Sequence, residues 1–153
     1  MSADRVHMSE ESFPIGSLGL IAMKGFEDFA NQVDKWLIDF HKENFGTAPD
    51  TFILKSRCPR FANGEGKGII DETVRGKDLY ILTDVGNYSE TYPIVGFTNH
   101  MSPDDHYQDL KRIIAAIGGK AARVNVIMPM LYEGRQHRRS SRESLDCAMM
   151  LQE

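Results

Sequence analysis

The sequence predicts an α/β fold, with three layers (α/β/α) built around a mostly parallel sheet. Three observations predict it. Short apolar runs at 18–23, 78–82 and 124–128 have the length of strands. Two long stretches between them, 26–45 and 103–117, carry apolar residues at intervals of three and four, the period of a helix. Strands that alternate with helices pair in parallel, because a crossover helix returns the chain to the same end of the sheet.

Each element has its own justification. Residues 1–17 are expected to be a flexible N-terminal segment, and 18–153 a single domain. Leu18–Met23 reads as a first buried strand, stopped by Lys24-Gly25. Phe26, Phe29, Val33, Trp36, Leu37 and Phe40 then mark a helix whose stripe is expected to pack in the core, with Gly46 as its C-cap. Thr51–Leu54 is a second short strand. The stretch 58–67, with Pro59, Asn63, Gly64 and Gly66, reads as a loop. Residues 68–74 suit a strand, and Arg75-Gly76 a turn. Asp78–Leu82 is a clear strand. Residues 83–101 are longer than most connections in compact domains, so they should hold minor structure or a function. Ser102 as N-cap, Pro103 at the first helical position and Asp104 and Asp105 in the first turn start the next helix. Leu110, Ile113, Ile114 and Ile117 are its expected buried stripe, and Gly118-Gly119 its end. Arg123–Met130 is the last strand. Ser140 and Glu143 match a capping box for a final helix carrying Leu145, Ala148, Met149 and Leu151. That helix reaches Glu153 without a stop signal, which suits a chain that continues in a larger protein.

Composition narrows the class. The chain is 41% hydrophobic and 26% charged, as in soluble globular proteins. Its net charge of −4 argues against nucleic-acid binding by bulk electrostatics. Cys58 and Cys147 lack the spacing of a metal site or a disulfide scaffold, which suits a reducing, cytoplasmic setting. No apolar run is long enough for a membrane helix.

Against this acidic background stands one basic stretch. Four arginines, Arg135, Arg138, Arg139 and Arg142, fall within eight residues, between a strand end and a helix start. Strand ends of open α/β sheets hold ligands, helix starts favour anions, and guanidinium forks match phosphate oxygens. The expectation is a loop that handles a nucleotide triphosphate. A solvated basic loop is the plainer reading; a nucleic-acid patch is disfavoured because no aromatics are interleaved. His100 and His106 flank Asp104 and Asp105, but those acids are explained by the helix dipole, so no protein-built metal site is expected. Cys58 lies near Arg57 and Arg60, whose charge would lower its pKa. Cys147 reads as a small hydrophobe.

Three segments then resemble ribose-phosphate pyrophosphokinase (phosphoribosyl-pyrophosphate synthetase), in its N-terminal half. Arg60-Phe61-Ala62-Asn63-Gly64-Glu65 is similar to that family's R-F-x-[DN]-G-E. Glu72–Leu82 is similar to E-[ST]-V-R-G-x-D-[VIL]-[FY]-[IV]-[IL]. Pro129 followed by Arg135-Gln136-His137-Arg138 is similar to P-x5-R-Q-D-[RK], with His137 where the family has Asp. The order is the family's, and the likeness runs over 18–153.

The resemblance implies a phosphoribosyltransferase-like fold. It implies an enzyme that moves the pyrophosphoryl group of ATP onto ribose 5-phosphate, in active sites formed between two such domains and across subunits. Phe61, Asn63 and Glu65 would meet the adenine of ATP held by a neighbouring subunit. Arg135, Gln136 and Arg138 would hold its triphosphate side. Mg2+ would arrive with ATP. A homo-oligomer is implied, with no nucleic-acid or membrane partner. The ribose-phosphate loop and the second domain have no counterpart in this sequence, so no catalytic residue is assigned and the chain alone should be inactive. The other reading is a non-catalytic regulatory or assembly domain of the same family. The 83–101 connection is longer than the family's usual one.

Overall fold

In the computed structural model, which describes residues 15–153, the chain order is β1 (Ser17–Ala22), α1 (Glu27–Phe45), β2 (Ser56–Arg57), β3 (Ile69–Ile70), β4 (Lys77–Leu82), β5 (Thr91–Ile94), β6 (Phe97–His100), α2 (Pro103–Ile117), β7 (Arg123–Ile127) and α3 (Asp146–Gln152). Of the segment expected to be flexible, 1–14 lie outside the described residues, and Ser17 already opens β1.

β4 sits between β1 and β7, parallel to both, with Leu20 beside Tyr80 and Tyr80 beside Asn125. On the outer side of β1, the expected strand at 51–54 is reduced to one parallel bridge, Leu20 to Ile53. Its backbone still bonds β1 on both sides: Leu20 N–H donates to Phe52 O and Leu54 N–H to Leu20 O. The chain therefore leaves β1 through α1 in one direction and leaves β4 through α2 in the other. Right-handed crossovers running in opposite directions put their helices on opposite faces of the sheet, which gives the three layers. The reversal lies between β1 and β4.

α2 closes the main core: Leu110, Ile113 and Ile117 pack with Ile21, Leu79 and Ile81. Ser102 caps α2 as expected, and Gly118 ends it in the left-handed region at φ 60°. Ile114, expected in the buried stripe, is 40% exposed; the inward positions of this helix also include His106 and Asp109, both buried. Gly68, next to β3, lies flat on α2, where a Cβ would come 2.5 Å from the Arg112 carbonyl oxygen.

α1 corrects the expected packing. Trp36 is 77% exposed, and Phe29 and Phe40 are also largely bare. The buried residues of this helix are Ala30 and Asp34. Asp34 has a reason to point inward: its carboxylate accepts the Thr51 hydroxyl and the Phe52 N–H, both at 2.7 Å. That anchor turns α1 so that its aromatic stripe lies on the flank.

One more segment differs from expectation, and one holds the minor structure expected of it. The stretch 68–74 holds only the two-residue β3, antiparallel to β2. The 83–101 connection folds into an antiparallel hairpin, β5–β6, with Thr91 opposite His100 and Ile94 opposite Phe97. The hairpin base reaches back to the loop after β1. Lys24 Nζ donates to Thr91 O, and Asn87 Nδ2 donates to Gly25 O at 3.2 Å.

Candidate functional site

The 58–67 loop is a tight turn on a fixed root. Arg60 bridges to Gly66 across it, Phe61 N–H donates to Glu65 O at 2.6 Å, and Gly64 N–H donates to Phe61 O at 2.9 Å. Gly64 sits at φ 90°, a conformation that costs a residue with a Cβ. Asn63 and Glu65 are tied to each other: Asn63 Oδ1 accepts the Glu65 N–H, and Asn63 Nδ2 donates to Glu65 Oε2 at 2.8 Å. Phe61 is 55% exposed beside them. The three residues therefore share one turn, with an aromatic face next to an amide–carboxylate pair. That set can stack on a flat ring and accept hydrogen bonds from its edge.

The root of the turn is a buried ion cluster. Arg60, with 7% of its side chain exposed, donates to Asp109 Oδ2 at 2.9 Å. Arg112 donates to Asp109 Oδ1 at 2.6 Å. Burial pushes the Asp109 carboxyl above its ordinary value, and the two guanidiniums offset only part of that. The Tyr92 ring of β5 covers the Arg60 guanidinium at 4.6 Å, and its hydroxyl donates to Asp105 Oδ1. The sequence reading missed Asp109, Arg112 and Tyr92. Asp105, Asp109 and Arg112 recur at helical spacing on one face of α2, which was the available signal.

Cys58, near this cluster, overturns the expectation of a lowered pKa. Burial, with the Asp109 charge, pushes its thiol up to about 12 against the pull of Arg60 and Arg112. A thiol raised in this way stays protonated at neutral pH. Cys147 is buried, as expected for a small hydrophobe.

The second loop follows β7. Tyr132 stacks on Tyr107 of α2, with ring centroids 4.3 Å apart, and its hydroxyl donates to Asp104 at 2.7 Å. These contacts hold 129–135 against the start of α2. There a cleft of about 660 Å³ opens between Val85, Pro103 and the 129–135 segment, and Arg135 lines it. Gln136 is held by its backbone: its N–H donates to Glu133 O, and its carbonyl accepts the Cys147 N–H. Arg135, Arg138, Arg139 and Arg142 are exposed, and none forms an ion pair among the described residues. Arg138, Arg139 and Arg142 do not line the cleft that Arg135 lines.

The expected helix start beside these arginines is absent. The Glu143 carboxylate accepts the Ser140 N–H at 3.2 Å and the hydroxyls of Ser140 and Ser141, but the reciprocal bond of a capping box, from the Glu143 N–H to the Ser140 hydroxyl, is not formed. The helix begins later, as the seven-residue α3, with no side-chain cap at Leu145. The two sets of expected site residues are also separate. The Arg135 cleft includes none of Phe61, Asn63 or Glu65. Among the described residues, no group of three or more His, Cys, Asp or Glu stands where it could hold a metal ion. No described helix is long and apolar enough to cross a membrane.

Comparison with known proteins gives this architecture a family. Residues 18–153 match the family model described as the N-terminal domain of ribose phosphate pyrophosphokinase. The crystal structure of phosphoribosylpyrophosphate synthetase from Mycobacterium smegmatis is similar in fold, with a TM-score of 0.57 at 24% identity over 89% of this chain. The chain spans 39% of that protein's length. No curated protein sequence matches it. With its doubly wound parallel sheet and its match over 18–153, the chain belongs to the family of N-terminal domains of ribose phosphate pyrophosphokinase.

Proposed function

We propose that this chain is the ATP-binding and assembly domain of a ribose-phosphate pyrophosphokinase. The complete enzyme would transfer the pyrophosphoryl group of ATP to the 1-hydroxyl of ribose 5-phosphate. In that step the hydroxyl oxygen attacks the β-phosphorus, the bond from that phosphorus to the α-phosphate oxygen breaks, and AMP leaves. Such a transfer needs positioning and charge neutralisation more than covalent help.

The observation that carries the reading is the set of four arginines after β7, free of ion pairs among the described residues, with Arg135 at a cleft beyond the carboxyl end of the strand. Unpaired guanidiniums keep their donors for a polyphosphate. Magnesium would reach the site on the triphosphate oxygens, as the family resemblance implies. Phe61, Asn63 and Glu65 lie elsewhere, which fits their meeting the adenine of ATP held by a neighbouring subunit. The isolated chain would then carry half of each site and would not turn over.

Calorimetric titration with Mg-ATP tests this. The isolated chain should bind weakly, and Arg135→Ala should weaken binding about tenfold or more, the effect of one lost charge-assisted contact. Its melting temperature should not change. Binding unaffected by Arg135→Ala removes the basic loop from the function. Nanomolar affinity in the isolated chain overturns the shared site.

A further inference from the structure

We propose that Tyr92, on the β5–β6 hairpin, is a positioning residue for base recognition by the 60–65 turn; the inference rests on the reading of that turn as an adenine contact. The hairpin touches the turn at alternate residues. Tyr92 lies over the Arg60 guanidinium. Val95 N–H donates to Ala62 O at 3.0 Å. Gly64 faces Ile94 so closely that a Cβ there would sit 2.9 Å from Ile94 Cδ1 and 3.7 Å from the Tyr92 ring. Residues 60, 62 and 64 are thus backed by the hairpin. The residues between and after them, Phe61, Asn63 and Glu65, are all exposed.

A six-residue turn in water would sample many shapes, and ordering it costs backbone entropy at every residue. The hairpin supplies that order before any ligand arrives. Its leverage is at Arg60, because that side chain roots the turn in the Asp109 cluster. The Tyr92 ring shields the Arg60–Asp109 pair from water, and its hydroxyl, bonded to Asp105, fixes the ring to α2. Loss of the ring would let water reach the pair and loosen the turn, leaving Arg135 untouched on its separate cleft. Pre-organisation of this kind sets affinity and selectivity without a direct contact to the ligand.

Two measurements separate this role from general stability. The first, made on the assembled full-length enzyme so that one subunit's turn meets the nucleotide held by its neighbour, is the ratio of affinities for Mg-ATP and Mg-tripolyphosphate, which share the phosphates and differ in the nucleoside. Wild type should prefer ATP; Tyr92→Ala should bring the ratio severalfold closer to one with tripolyphosphate affinity unchanged; Tyr92→Phe, which keeps the ring over Arg60, should keep the preference. The second is amide exchange. The Phe61 and Gly64 amides should exchange faster in Tyr92→Ala, while those of β4 keep their rates. If Tyr92→Ala does not fold, Tyr92→Leu, which fills the space but removes the aromatic face over Arg60, should lower the same ratio and speed the same amides. A folded Tyr92→Ala chain with wild-type preference and wild-type exchange overturns the inference alone. A wild-type chain with no preference for ATP overturns the adenine reading and this inference with it.

Discussion

Asp34, buried on α1, accepts the backbone N–H of Phe52 at 2.7 Å. One carboxylate thus joins the first helix to the segment that pairs with β1, and it decides which side of the helix faces the sheet. Removing it leaves a buried N–H without a partner. Asp34→Ala should lower stability by about 2 kcal/mol. Trp36→Ser, on the bare flank, should change it by no more than about 0.5 kcal/mol. Urea midpoints of the two variants check both; equal losses would mean that the aromatic stripe packs after all.

Asp78 and Arg123 join β4 to β7 through paired hydrogen bonds of 2.8 and 2.6 Å. The Arg123 hydrogen bond, helped by Asn125, holds the Asp78 carboxyl below its ordinary 3.8. A carboxyl lowered in the folded state stabilises above its unfolded pKa, and that contribution fades as pH falls through the lower, folded value. Asp78→Asn should therefore be less stable than wild type at pH 7, with the gap closing below about pH 4. Asp109, raised by burial, shifts with the opposite sign, so the difference between the two melting curves is the proper readout. A gap that stays constant from pH 7 to 2.5 would exclude the ionised pair as its source.

Ser102 accepts the Asp105 N–H at 3.2 Å, while the Asp105 carboxylate accepts the Ser102 N–H at 2.9 Å. This reciprocal cap starts the helix that closes the core. Ser102→Ala should destabilise by about 1 kcal/mol, and Ser102→Asn by much less. Thermal melts followed by helical ellipticity would show an equal loss in both variants if the cap were unimportant.

Gly68 touches the backbone of α2, so a methyl group has no flexible side chain to displace. Gly68→Ala should cost roughly 1–3 kcal/mol through overpacking. A variant as stable as wild type would show that α2 can slide away from β3.

The sheet and its two long helices were legible because their apolar spacing is set by the elements themselves. β1, β4, β7, α1 and α2 all lie within two or three residues of their expected places. Orientation was harder to read. The α1 stripe of Phe29, Trp36 and Phe40 has helical period, yet a single buried Asp34 outweighs it, and a hydrogen bond to a residue 18 positions away leaves no mark on local periodicity. The final helix start failed for a related reason: Ser140 and Glu143 have cap spacing, and the Glu143 carboxylate does accept the Ser140 N–H, but the Ser140 hydroxyl turns to that same carboxylate and no helix follows until Asp146. Phe61, Asn63 and Glu65, singled out by the resemblance, do share one turn. Their support was not legible, because Asp109 is 49 residues from Arg60 and Tyr92 belongs to a hairpin without strong alternation.

That hairpin also bears on how the domain meets small molecules. The place where β1 and β4 part company is the usual doorway in sheets of this kind. Here the chain's own Asn87, Glu90 and Thr91 lean across it onto Lys24 and Gly25, leaving a side passage of about 470 Å³ between Ala22–Lys24, Ser56–Arg60 and β5. Trimming or lengthening the 83–101 connection would widen or seal that space without moving β1, β4 or β7.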